Sequence, residues 1–564
     1  MRKLPRMEQP AVRNGRPTNL HIMTTMMVRL LLIVIALCAS ARPAAAACSG
    51  GSPTRTAASA GRTDVNDCVT AAASGDTIIV PNGSASWASQ ISLPGNKDLT
   101  IQGGGGGNTM TCSGTPGTAG YTCTANNSTS LTCNNGCFGV DLAASHRITG
   151  FTMTGNGSGE IISCSTGNQN TAKHFRIDHN RLVSTSGWQP LRCFGDANAV
   201  HPRGIWDHNR LENGIAIHTN GTDFQLNEAN YQHQLWAQDP ELGGTSRIFV
   251  EDNYFVTSVS TTNFTDGNYA GRVAIRFNTT TGPTITGFEY HSPQGDNRGY
   301  HSWETYNNTL LNLDTTDNCY HGIASIRGGT GVFFNNAMAG TLSGCNFDGL
   351  MDNVRSSWTS SVDGIGPCNG SSNWDQNTSG QQGWHCRDQI GAFRDNTQWN
   401  HSPAGAWNQA LSPAYFWGNT RSGNPLVFSI SPDARSGIHI VKNRDYHEFT
   451  ASFNGAAGVG VGPIASRPSG CTAGVAYWAT DQGEWNSLRA GPDGRLYKCT
   501  STNTWTLYYT PYAYPHPWTT GGGPEAPEAP TNLRIISQGV LQWMLPGLGV
   551  CVVGRKWRQR RRCD

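Results

Sequence analysis

The chain carries little charge for its length. Asp, Glu, Lys and Arg make up 14% of its 564 residues and the formal balance is +2. A nucleic-acid partner is not expected, because such a surface needs clustered cations and the only Arg run stands at the extreme C-terminus. Lysine is scarcest of all, with 6 residues against 34 Arg, and Lys173 and Lys442 are alone between positions 98 and 497. A base in the body of the chain is therefore expected to be Arg or His. Long apolar runs are missing as well. The run 30–37 is too short for a permanent membrane span. With Arg29 ahead of it and an Ala-rich stretch up to Ala47 behind, it has the pattern of an export signal. Residues 1–47 are read as signal peptide and leader, and the protein as secreted or periplasmic. A lipid on Cys48 is disfavoured, since Ala45 stands where a lipobox prefers Leu.

What is abundant is glycine, 68 residues, and cysteine, 17. Cys38, Cys551 and Cys563 lie in the two tails, leaving an even set of 14 from Cys48 to Cys499. In an exported chain that favours disulfides over metal ligands. Cys112, Cys123, Cys133 and Cys137 have only small polar neighbours and no nearby His, so they read as loop staples and not as a zinc site. Cys471 and Cys499 are alone in their segment and are expected to pair.

The organising feature is an Asn that recurs behind an apolar position, at Asn180, Asn209, Asn227, Asn253, Asn278, Asn308, Asn336 and Asn443. From Asn180 to Asn336 the steps are 29, 18, 26, 25, 30 and 28 residues, the period of one solenoid coil. Three residues before the Asn come Ile177, Trp206, Phe224, Val250, Ile275, Thr305 and Phe333. Two residues after come Leu182, Leu211, Ala229, Phe255, Thr280, Leu310 and Met338. Both rows read as inward-facing. An Asn suits the bend between them because it tolerates left-handed backbone and its amide can bond the same position in neighbouring coils. The expected fold is all-β, a right-handed parallel β-helix over 48–465. An antiparallel sandwich fits poorly, as hairpin dipeptides occur far apart and irregularly. A third row, two before the Asn, reads Asp178, Asp207, Gln225, Glu251, Arg276, Tyr306, Phe334 and Trp417, and is taken as packing.

Residues 68–103, CVTAAASGDTIIVPNGSASWASQISLPGNKDLTIQG, give a short helix, the strand TIIV and a second strand around Leu99 and Ile101. This resembles the N-terminal cap and first coils of exported β-helix proteins of the pectate-lyase-like superfamily. The resemblance implies fold more firmly than reaction, because that superfamily holds lyases, hydrolases, epimerases and binding proteins. Residues 466–523, rich in Trp, Tyr and Pro, resemble the aromatic segment that follows the helix in related proteins, and are expected to cap its open end or, as the alternative, to form an accessory module whose Trp478, Trp485 and Trp505 stack on sugar rings. Residues 524–564 form a proline linker and what resembles the start of a fibronectin type III domain, too short for a whole sandwich.

Chemistry is sought on an outward face, where successive coils align side chains into a groove. His201, His218, Trp236, Asp266, His291 and Arg327 are expected to form a ladder over about 25 Å at strand spacing, with His201, His218, Trp236 and Arg327 binding substrate. The densest patch, FTDGNYAGRVAIRFN and EYHSPQGDNRGYHSWETYNN, supplies the candidate catalytic residues Asp266, Arg272, His291, Arg298, His301 and Glu304. An Arg272–Glu304 pair would be the structural account of two of them. Acid, base and cation types together suit β-elimination on an acidic polysaccharide, where a base removes the proton beside a uronate carboxylate and a cation, Arg or calcium, neutralises that carboxylate. The expected protein is thus a monomeric polysaccharide lyase with a polysaccharide partner and, if any metal, calcium. A glycoside hydrolase on the same fold is the first alternative, weakened because His321-Gly322 and Arg327 lack the accompanying Lys and Asp314 and Asp317 are out of pattern. A non-catalytic carbohydrate-binding or adhesion β-helix is the second.

Overall fold

The computed structural model describes residues 48–520 apart from 106–109, 116–119, 158, 168–170, 186–188, 196–199, 215–216, 222–232, 258–262, 283–285, 292–297, 312–323, 339–348, 352–387, 393–409 and 431–438. The leader 1–47 and the fibronectin-like stretch 524–564 lie outside these. Three long sheets of 13, 11 and 10 strands wind around one core, and strands adjacent in a sheet come from successive coils. One coil runs through His174–Asp178 in the first sheet, Arg181–Ser184 in the second and Leu191–Phe194 in the third. It then returns to the first sheet at Arg203–Asp207. This is the expected parallel β-helix.

Period-two alternation fixes which side chains point inward. Ile177, Trp206, Val250, Ile275, Thr305, Phe333 and Phe416 stand in one column of the first sheet. Leu182, Leu211, Phe255, Thr280, Leu310 and Met338 form the second inward row, also in register. Ala229 and Phe224 of the expected rows lie outside the described residues. At the N-terminal end helix α1 (Arg62–Ala71) buries Val65, Cys68 and Val69 and is tied to the first strand by the Cys48–Cys68 disulfide. That bond uses the sulfur a lipid anchor would need.

Asn180, Asn209, Asn253, Asn278, Asn308, Asn336 and Asn419 stack as one column between the first and second sheets. From Asn209 onward each Oδ1 accepts the backbone N–H of the preceding Asn at 3.0–3.1 Å, and Asn180 Oδ1 accepts that of Phe151 at 3.0 Å. Each Nδ2 donates to the carbonyl of an inward-row residue one coil back, as Asn278 does to Val250 at 2.8 Å and Asn308 to Ile275 at 2.9 Å. A side chain with one strong donor and one strong acceptor is needed to close both bonds in a buried bend. The left-handed backbone, however, is not at the ladder Asn. It falls one residue earlier, at His179, His208, Asp252, Phe277, Asn307, Asn335 and Gly418, with φ between 53° and 66°. The Asn is therefore selected for its hydrogen bonds, and the strained position accepts His and Phe. Asn443 is not a rung; its Oδ1 caps the Gly458 N–H at 3.1 Å. Asn227 is outside the described residues.

After the last coil a four-stranded sheet forms from Val459–Gly462, Ala476–Ala479, Arg495–Ser501 and Thr504–Tyr509, stapled by Cys471–Cys499 as expected. Its aromatics do not cap the open end of the solenoid. They lie along the outer wall of the first sheet: Trp478 on Trp417 at 4.9 Å, Trp485 on Tyr306 at 5.6 Å, Tyr514 stacked on Phe277 at 3.6 Å and Trp518 stacked on His174 at 4.0 Å. The reason is the third row, whose outward side chains are aromatic at Trp417, Phe334 and Tyr306 and need cover. Under this strap Asp178, Asp207, Glu251, Arg276, Tyr306 and Phe334 are fully buried. Cys112–Cys123 and Cys133–Cys137 also pair, as does Cys164–Cys193 between adjacent strands of the third sheet. No described helix is long and apolar enough to cross a membrane.

Candidate functional site

The third sheet presents two outward columns. Register places Arg192 beside His218, His218 beside Asp266, and Glu289 beside Ser325. Two residues further along the same strands come Asn220, Asn268, His291 and Arg327. Alternation forces each pair to one side, so Glu289 and His291 project together, as do Ser325 and Arg327. The cluster is tight. His291 Nε2 lies 2.8 Å from Asp266 Oδ1 and 3.1 Å from Glu289 Oε1, Arg327 bonds Glu289 Oε1, and Asn263 Nδ2 donates to Glu289 Oε2 at 2.6 Å. Asp266, Glu289 and His291 each aim a ligand atom within 4.8 Å of one another.

Close approach here is not the same as satisfaction. Both ring nitrogens of His218 and Nδ1 of His291 have no hydrogen-bond partner although they are shielded from solvent. Buried polar atoms left so are uncommon and mark places built for something other than internal stability. Burial pushes His218 down to about 4, against a weaker upward pull from Asp266, so its imidazole is neutral at ordinary pH. Burial alone would raise Asp266, but His291, His218 and Arg327 together hold its carboxyl well below the usual range. The side chains of His291, Asp266, Glu289 and Arg327 are 14%, 12%, 9% and 3% exposed, a shallow partly covered patch and not an open cleft.

The other expected site residues are elsewhere. Glu304 is on the outer face of the first sheet, where its Oε1 pairs with Arg247 at 2.6 Å and its Oε2 accepts from Tyr509 at 2.7 Å under the strap. It does not pair with Arg272, which sits opposite Ser302. Arg272 instead reaches Asp239 O and Glu241 at 3.4 Å. Arg298 is fully buried and grips Asp388 at 2.6 and 2.8 Å. Trp236, expected in the ladder, is in the short helix His233–Trp236, lies 4.9 Å beneath the Arg298 guanidinium and bonds Gly299 O at 3.0 Å. His301 packs on Trp236 at 4.7 Å and stacks near His201 at 6.3 Å, and burial pushes His201 well below its ordinary value. These six residues, His201, Trp236, Arg272, Arg298, His301 and Glu304, belong to the interior of the turn from the third sheet to the first and to the first sheet itself. Most of the expected cleft wall, 292–297 of the loop 292–299, lies outside the described residues, as do Asp314, Asp317, His321 and Gly322.

No protein-family model matches the chain, and no curated protein matches it in sequence. Among solved structures, a mutant of AlyGC, an alginate lyase of the PL6 family, is similar at 11% identity and a TM-score of 0.30, over 76% of this chain and 54% of its own. A second AlyGC structure aligns at 13% identity and a TM-score of 0.19, over 76% of this chain and 65% of its own. The chain thus spans just over half to about two thirds of the chains it is compared with. Similarity at this level says nothing of the reaction, which must be argued from the side chains.

Two partners escaped the sequence reading. Glu289 was legible in principle, since the strand GFEYHS alternates and puts Glu289 on the side of His291. Asp388 was not, because it meets Arg298 from 90 residues away.

Proposed function

We propose that the protein is an exported lyase that cleaves an acidic polysaccharide by β-elimination. One observation supports this above others: His218, Asp266, Glu289, His291 and Arg327 share one outward patch, and the His218 imidazole lacks a hydrogen-bond partner. Elimination needs a cation against the uronate carboxylate, where charge builds up, and an uncharged base for the adjacent proton. Arg327, steadied by Glu289, is the cation. His218, neutral through burial, is the base. It takes the proton from the ring carbon bearing the carboxylate, and the electron pair left behind becomes the new double bond as the neighbouring glycosidic C–O bond breaks. The departing oxygen takes a proton, for which His291, held between Asp266 and Glu289, is the available donor. A glycosidase would need a carboxyl held protonated; Asp266 is shifted in the opposite direction.

Calcium would find oxygen donors in Asp266 and Glu289. The third ligand atom is a nitrogen and Glu289 already bonds Arg327, so the donor set departs from the all-oxygen shell of that ion. No step above passes through a metal. Export rests on the leader pattern and on the disulfides, which persist in oxidising compartments.

The test is a panel of acidic and neutral polysaccharides read by ultraviolet absorbance and by reducing ends, with and without a chelator. Elimination raises both signals, hydrolysis only the second, and a binding or adhesion protein neither. Loss of turnover on chelation, restored by calcium alone, would assign the cation role to the ion instead of Arg327.

A further inference from the structure

Where the last coils meet the C-terminal sheet there is a pocket of about 500 Å³ that plays no part in the chemistry above. It lies within the size range of small-molecule sites. Its floor is formed by Phe416, Trp417 and Trp478, and its walls by Val427, Phe449 and Val461. Those three wall residues are 68%, 46% and 39% exposed, and they are half of the large hydrophobics exposed anywhere among the described residues. Exposed apolar surface gathered into one concavity marks a binding surface, whereas scattered apolar residues do not.

The polar groups say what kind of ligand. Trp417 is 2% exposed and lines the pocket, yet its indole Nε1 has no hydrogen-bond partner. Asp493, on the opposite strand connection, uses Oδ2 to accept the Asn486 N–H at 2.9 Å and leaves Oδ1 without a partner. Two residues that line the pocket thus carry a polar atom that is shielded from solvent and unused, one a donor and one an acceptor. Its formal charges cancel: Lys442, bonded to Glu448, and Arg489 stand against Glu448 and Asp493. The lining as a whole therefore favours neither sign of ligand charge. Aromatic and apolar lining, neutral net charge and polar residues at Trp417 and Asp493 match a pyranose ring, whose faces are C–H and whose edge is hydroxyl.

We infer that this pocket is a binding site for an uncharged saccharide of one to a few sugar units, separate from the patch on the third sheet. It does not depend on the lyase reading. Through such a site the protein would stay on a neutral glycan while another part of it works on a different polymer.

The experiment titrates the full-length protein with cello-, xylo-, manno- and malto-oligosaccharides, and with oligogalacturonate as the charged comparison, following tryptophan fluorescence and calorimetry. At least one neutral series should saturate, and oligogalacturonate should fail to compete. Phe449→Ala should weaken binding about tenfold through the lost ring contact, and Thr480→Trp should abolish it by filling the pocket. Because Phe449 is nearly half exposed, its variant should keep the parent thermal midpoint, which separates lost binding from lost folding. No saturation by any neutral series up to about 10 mM, or unaltered binding in both variants, overturns the proposal. So does tighter binding of oligogalacturonate at this pocket.

Discussion

The outer walls of the first and third sheets are built from the same side-chain types and put them to different use. On the first sheet, Arg276 lies fully buried with Glu251 at 2.6 Å, the Tyr306 hydroxyl at 2.9 Å and the carbonyls of Tyr512 and Ala513 at 2.6 and 2.8 Å. Arg176 likewise holds Asp207 at 2.8 Å and Trp518 O at 3.0 Å. Both of these guanidiniums are paired to carboxylates and to carbonyls of the strap that covers them. On the third sheet, Asp266, His291 and His218 crowd together, and both ring nitrogens of His218 bond nothing. A column of charged residues is therefore no guide to a site. Incomplete pairing is the better sign, since internal stability would have completed it.

The comparison breaks most visibly at Arg276. Arg276→Ala leaves Glu251 buried beside Asp207 with no cation, a loss of about 3–5 kcal/mol, to be read as a fall in denaturant midpoint together with faster proteolysis of the strap. Arg298→Ala should act the same way by stranding Asp388, with activity falling only as folded protein is lost. If either variant melts like the parent, the buried clamps are not what secures these walls.

Next in size, His218→Ala should slow elimination by about 10² or more while moving the midpoint little, because the ring gives up no hydrogen bond in the fold. Ultraviolet initial rates beside a melt test this. Full activity in the variant removes the third sheet as the reacting face.

A ladder change sharpens the contrast from the structural side. Asn278→Ala leaves the Asn253 N–H and the Val250 carbonyl without their partners and should cost about 1–3 kcal/mol without altering rates per folded molecule.

The most gradual effect is with pH. Burial depresses His146 and His218 to about 4 and His447 to about 3. Unfolded, these rings take up protons below about 6.5, so in the window from there down to the folded values the unfolded state binds more protons and stability falls as pH falls. Midpoints measured across that window should decline steadily; a flat profile would mean the rings are already protonated in the fold.

The coil period was readable because stacking demands the same residue at the same bend, so Asn180 to Asn336 repeat in the sequence as they do in space. The inward rows followed from alternation alone. The candidate site was half legible for a related reason. Asp266, His291, His218 and Arg327 lie on strands of the third sheet, where period two and coil spacing fix direction. Arg272, Arg298, His301 and Trp236 lie at strand starts, in a turn or on a short helix, where no period says whether a side chain faces water or the interior. Glu304 does alternate outward, but what covers it is Tyr509, 205 residues later, and a local pattern holds no record of a distant segment.

The strap also sets an order of events during synthesis. Residues 476–520 are made after all the coils they cover, so Tyr306, Phe334 and Trp417 leave the ribosome facing water and stay that way until the final segment folds back. During that interval the chain carries a sticky aromatic stripe of the kind that draws nascent chains into aggregates. Secretion in an extended state, with coiling delayed until the whole polypeptide has crossed, would keep that stripe from ever meeting its like on a neighbour.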